Sequence, residues 1–249
     1  MTTRAAEATP LVYARVAGVA YLVIAIVAVL YGALVESQLI VSGNDAATAH
    51  NILANESLFR IGIVLVLIIY VSVVVASWAL YVILRTVHKN LALLALLLRS
   101  AEAVVGAATV LISFAVLFVL DGNGPSNAFE PEQLHALADR FLDLRTAGLD
   151  IVLVFIGLGA TIFCYLLFKS KYIPRWLAAW GMFTYLSMLF LALVSILFPN
   201  HPLMLEYVLY GVGELFELTF GFWLLFRGVD LGQWHKRQRA AAQRSEQTS

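Results

Sequence analysis

Residues 91–120 form an apolar run whose only charged side chains, Arg99 and Glu102, lie deep inside it. At about 1.5 Å per residue the run is roughly 45 Å long as a helix, more than the roughly 30 Å of a hydrocarbon core, so the sequence predicts a membrane-spanning helix. An arginine at the centre of such a helix costs about 2.5–3.5 kcal/mol to insert. It therefore needs a partner, a route to the interface or a purpose.

Composition extends this reading to the whole chain. Of 249 residues, 61% are hydrophobic and 13% charged, against about 25% charged in soluble domains. The expectation is an integral membrane protein, all-α, whose first partner is the lipid bilayer. Sixteen Lys and Arg balance sixteen Asp and Glu, which gives no sign of a nucleic-acid partner. The single cysteine, Cys164, excludes a disulfide within the chain and a CxxC metal motif, and reads as a small packing residue.

Six spans are expected, at about residues 16–35, 61–84, 91–120, 149–168, 176–198 and 204–226. They follow an N-terminal segment, 1–15, and precede a basic tail, 228–249, expected to fray. The first apolar run exceeds a signal-peptide core and lacks a clear cleavage site, so it is read as retained. Gly18, Ala25 and Gly32 recur along it as a small-residue stripe for close helix packing. Asn44 or Asp45 is expected to cap a short helix between spans one and two. After the turn formers of residues 121–130, Pro131 can open a helix at its first position. There Leu134, Leu137, Ala138, Phe141 and Leu142 make an apolar stripe, suited to the membrane surface or to neighbouring helix ends.

Lysine and arginine set the orientation. Twelve fall on one side: Arg4, Arg15, Arg85, Lys89, Lys169, Lys171, Arg175, Arg227, Lys236, Arg237, Arg239 and Arg244. Arg60, Arg140 and Arg145 fall on the other, and Arg99 is intramembrane. Both termini are thus expected in the cytoplasm, with the amphipathic helices of the first and third loops outside and the protein in the cell membrane. Trp176, Trp180, Trp223 and Trp234 near the basic side fit an interfacial belt. A faint repeat at an offset of eighty-five residues aligns His50 with His135 and Arg60 with Arg145. It would suit a parallel transporter repeat, although helix-capping logic shared by the two stretches accounts for it as well.

The charges inside the spans carry the functional question. Arg99 and Glu102 share a helix face, as do Glu214 and Glu217 in the sixth span, with Gly221 continuing theirs. The third and sixth spans run antiparallel, which would let Arg99 meet Glu217 or Glu214. Arg99 can equally bond Glu102 on its own helix and lean toward the cytoplasmic interface. Three acids face one arginine, and two ionised carboxylates in hydrocarbon cost more than protonating them. Arg99, Glu102, Glu214 and Glu217 are therefore a candidate proton, cation or substrate site, with Arg60, Arg145, Asp150 and Glu206 as secondary candidates nearer the outer side.

Two functions follow: a small proton- or cation-linked carrier of an ion or small molecule, or a non-catalytic scaffold or regulator in which the charges only lock helices together. An enzyme ranks third, because no nucleophile–base pair or metal set can be assembled. The five histidines sit in loops or at span ends, which argues against a bis-histidine haem in the bundle. HExxH, P-loop and GxSxG patterns are absent, and no cofactor or metal is assigned. The oligomeric state is open.

Several short patterns occur in order: ARVAGVAYL at 14–22, SLFRIG at 57–62, LRTVHKNLALLALLLRSAEA at 84–103, Gly213 with Glu214, and WLLFRGV at 223–229. In these the chain resembles the bacterial membrane family called domain of unknown function 4386. The resemblance implies a bacterial multi-pass membrane protein, with Arg15, Arg60, Arg99, Glu102, Glu214 and Arg227 as family-like positions. It brings no activity.

Overall fold

Apolar segments of this length have one way to satisfy their backbone in lipid, which is to bond it within the segment as a helix. The computed structural model of the protein describes residues 10–41, 44–120, 130–198 and 203–247, and the regular elements among them are helices. Among the described residues, five apolar helical segments are long enough to cross a membrane: Pro10–Leu39, Glu56–Leu120, Glu132–Ser170, Arg175–Leu197 and Val208–Phe226. The chain is thus that of a multi-pass membrane protein.

The first segment is α1 (Pro10–Leu30), a π-helical turn (Tyr31–Glu36) and the short α2 (Ser37–Leu39). Next, α3 (Asp45–Ala54) begins at Asn44, whose side chain accepts the Ala47 N–H at 3.0 Å, the cap its residue type prescribes. The spans expected at 61–84 and 91–120 are joined in α4 (Glu56–Leu120), interrupted at His88 alone, where the backbone turns extended (φ −160°, ψ 100°). His88 Nδ1 accepts the Leu91 N–H at 3.2 Å, so the residue that breaks the first arm caps the second. The arms fold back on each other. Tyr70 lies across Gly106, each 18 residues from His88, so closely that its ring fills the space a Cβ on Gly106 would need.

In α5 (Pro131–Ser170), Pro131 occupies the first turn as expected, behind a capping box between Glu130 and Gln133. The expected separate amphipathic helix and the span at 149–168 prove to be one continuous rod. Residues 143–150 (DLRTAGLD) contain no proline, and their lone Gly148 does not break the helix because it packs against Thr109. The stripe at the start of α5 packs on helix ends: Ala138, Phe141 and Leu142 join Ile52 of α3 and Leu117 and Leu120 of α4. Then come α6 (Arg175–Leu197), α7 (Leu203–Phe226) and α8 (Leu231–Gln247). The tail expected to fray is helical through Gln247, begun by Asp230, whose Oδ1 accepts the Gln233 N–H at 3.0 Å. Residues 121–129, the expected turn formers, lie outside the described residues, as do Pro199 and Pro202, whose placement between the fifth and sixth expected spans predicts a tight turn.

The long helices close a ring in the order α4, α1, α7, α6, α5, with α5 returning to α4. Glycines set its tightest crossings. A Cβ on Gly18 would meet Leu225 N at 2.6 Å and Gly221 O at 2.8 Å, so α1 and α7 touch backbone to backbone, as Gly157 lets α5 and α6 do at Leu189. Ala25 is buried, but Gly32 has open space beside it, so the predicted stripe is a packing surface only over its first two members. The end carrying Arg15, Arg85 and Lys171 is tied through Tyr172. Thr86 Oγ1 donates to Ile83 O at 2.9 Å, so Tyr172 donates to Thr86, also at 2.9 Å, while the Tyr172 carbonyl accepts the Asp230 N–H at 2.9 Å.

Because backbone cannot give way at Gly18, Gly18→Ala is expected to destabilise the bundle by about 1–3 kcal/mol, and Gly32→Ala to leave stability unchanged. Unfolding in mixed micelles measures both, and equal effects would contradict the crossing described. Tyr172→Phe should cost about 1 kcal/mol in the same assay by removing the donor to Thr86.

Candidate functional site

Arg99 projects from the second arm of α4 into the middle of the ring and is 2% exposed. Its stem fits because α5 presents Gly159 there: a Cβ would stand 3.0 Å from Arg99 Cγ. The guanidinium Nη1 lies 2.6 Å from Glu102 Oε2, three residues on, with Glu102 1% exposed. Of the two partners the sequence offered, the structure takes the one on the same helix. Arg99 Nε, and Glu102 Oε2 apart from that ion-pair contact, have no hydrogen-bond partner among the described residues.

The expected direct pairing of Arg99 with Glu217 or Glu214 is absent from the ion pairs among the described residues. α1 stands between α4 and α7 and keeps their backbones apart. Glu217 is still within electrostatic reach of Arg99, and its Oε1 accepts a hydrogen bond from Tyr185 of α6 at 3.0 Å. Tyr21 of α1 and Cys164 of α5 complete the surroundings, so each long helix contributes a polar group to one buried centre. Aromatic rings wall it. Phe220 meets Tyr21 edge to face at 4.9 Å, Phe216 meets Tyr185 at 5.6 Å, and the two phenylalanines stack at 5.4 Å. Glu214, one turn away, is half-buried and its Oε2 has no hydrogen-bond partner among the described residues, as with the Oγ1 atoms of Thr184 and Thr161.

Above Glu102 the same face of α4 carries Gly106, Thr109 and Ser113, all buried. Tyr70, packed over Gly106, is within electrostatic reach of Glu102 on one side and of Arg145 and Tyr31 on the other. A file of polar groups thus leads from the Arg99 centre toward the end of the bundle opposite the basic one.

The secondary candidates are dispersed. Arg60 is exposed and pairs with Glu56 of its own helix at 2.6 Å. Arg145 donates to the Tyr31 hydroxyl and stands 5.7 Å from that ring. The repeat-related Arg60 and Arg145 therefore occupy different environments. Asp150 is half-buried on α5, and Glu206 lies on α7 with its side chain outside the described residues. Among the described residues no group of three His, Cys, Asp or Glu could hold a metal ion.

Sequence reasoning does not find Tyr185 or Gly159, and it gives Tyr21, which flanks the small-residue stripe of the first span, no role beyond packing. A signal for the tyrosines existed: Tyr21, Tyr70 and Tyr185 sit inside spans, not at the interfaces where tyrosine usually settles. Gly159 had none, since its role is defined by the side chain that fills its space.

The family model described as "Domain of unknown function (DUF4386)" matches residues 16–228. No curated protein and no solved structure matches the chain.

An unpaired buried charge is worth far more than the pair. Arg99→Leu alone should destabilise by about 3–5 kcal/mol, whereas Arg99→Leu with Glu102→Leu should recover most of that loss. A double-mutant cycle without coupling would refute the pairing.

Proposed function

The chain belongs to the DUF4386 family, whose description names no activity, and from the arrangement of its buried charges we propose a small proton- or cation-linked carrier in a bacterial cell membrane. The observation that carries the reading is Glu217: a half-buried carboxyl group facing the Arg99 centre, hydrogen-bonded by a tyrosine, while Arg99 itself is held by Glu102. A carboxyl group so placed has no permanent counter-ion and exchanges a proton or binds a cation. Glu214 serves as its neighbour on the way to the edge of α7, and the file through Tyr70 and Thr109 serves the opposite direction.

In this reading the chain crosses the bilayer six times, since each arm of α4 exceeds 30 residues on its side of His88 and so the roughly 30 Å of a hydrocarbon core. The surplus of lysine and arginine at one end puts both termini in the cytoplasm.

One observation favours the alternative, a non-catalytic scaffold or regulator. Arg99 and Glu102 are 2% and 1% exposed, so the pair is packed shut, as a helix-locking contact would be.

Flux separates the two. Purified protein in liposomes should move protons or monovalent cations across roughly pH 5–8, and Glu217→Gln should abolish this while leaving the melting temperature near that of the wild type. Wild-type liposomes no leakier than empty ones, or unchanged flux in both Glu217→Gln and Glu214→Gln, would leave the structural role.

A further inference from the structure

At the end of the bundle opposite the basic one, the helices leave a cavity of about 170 Å³ between the π-helical turn, both arms of α4 and α5. This is below the roughly 300–1,000 Å³ of clefts for drug-sized ligands, so its occupant is one ring or a short chain. Most of the wall is aliphatic or aromatic, but Tyr31, Tyr70, Thr109, Ser113 and Arg145 line it too. Thr109 and Ser113 are buried side chains of the lining, and the Thr109 hydroxyl already donates to the Gly106 carbonyl at 2.6 Å. Arg145 supplies the lining's one cation, and its guanidinium donates to the neutral Tyr31 hydroxyl, leaving N–H donors for a second acceptor.

The backbone is also shaped around this space. The π-helical turn spans Tyr31–Glu36, and Tyr31 and Val35 from it both line the cavity. Such turns insert a residue into an α-helix at some cost and recur at binding sites. Gly62 faces the turn so closely that a Cβ would lie 2.7 Å from Val35 Cγ1, which is how the first arm of α4 admits it.

We propose that this cavity binds a small carboxylate with an apolar body, its anion on Arg145 and Tyr31 and its body between the arms of α4. A planar guanidinium takes a carboxylate through two parallel hydrogen bonds, and the aliphatic wall takes a ring or chain. The site uses none of Arg99, Glu102, Glu214 and Glu217, although Tyr70 and Thr109 of its lining belong to the polar file; the test below reads binding and not flux, so its failure is distinguishable from failure of the carrier reading.

The probe is 4-fluorobenzoate, followed by fluorine NMR on the full-length protein in nanodiscs. Wild-type protein should broaden its signal, benzoate should compete, and uncharged benzamide should not. Arg145→Gln should weaken binding by about tenfold or more, and Arg145→Lys should retain part of it. Ser113→Leu fills the cavity and leaves Arg145 in place, so it should abolish binding with an unchanged melting temperature. It decides the matter if Arg145→Gln fails to fold. Absence of wild-type binding at about 10 mM probe, equal competition by benzamide, or wild-type binding by Ser113→Leu would each overturn the proposal.

Discussion

An arginine removed from water within a shell of hydrocarbon is the condition to which this bundle is built. A guanidinium there is tolerable only if a carboxylate meets it and neighbouring helices leave room for its stem. Glu102 answers the first need from the next turn of the same helix and Gly159 answers the second from α5. Because the charge is balanced within α4, no other helix has to supply an ion to hold the ring together. Glu217 is thereby left to a tyrosine.

Small residues decide how near the other groups can come. At the α1–α7 crossing Gly18 and Gly221 bring backbones into contact, and this sets the depth at which Tyr21 and Phe220 meet. A wider crossing would admit lipid or water between helices whose polar groups depend on exclusion of both. Side-chain volume at these few positions therefore governs the electrostatics of the centre as much as the charged residues do.

Apolar length, caps and the charges themselves were legible in the sequence. Helix existence follows from hydrophobic length; Asn44 and Pro131 act locally, so the structure takes one of the two caps the sequence offers and places Pro131 at the first helical position as expected. The partner of Arg99 was not decidable, because Glu102 and Glu217 both satisfy spacing and charge and only the interposition of α1 separates them. The continuity of α5 and the helicity of the tail were missed because polar composition was read as a break, whereas polar residues between caps propagate a helix well. The cavity was invisible for a further reason: it is the unfilled remainder of four packed surfaces, and no single stretch encodes it.

The unbroken course of α5 has a mechanical consequence. Arg145 at the cavity and Gly159 at the stem of Arg99 are fourteen residues apart on one helix, roughly 21 Å along its axis. A continuous helix holds the two at a set spacing along its axis. The neighbouring helices, by contrast, depart from α-helical geometry at the π-helical turn and at His88. The cavity and the Arg99 centre thus share one unbroken helix as a common wall.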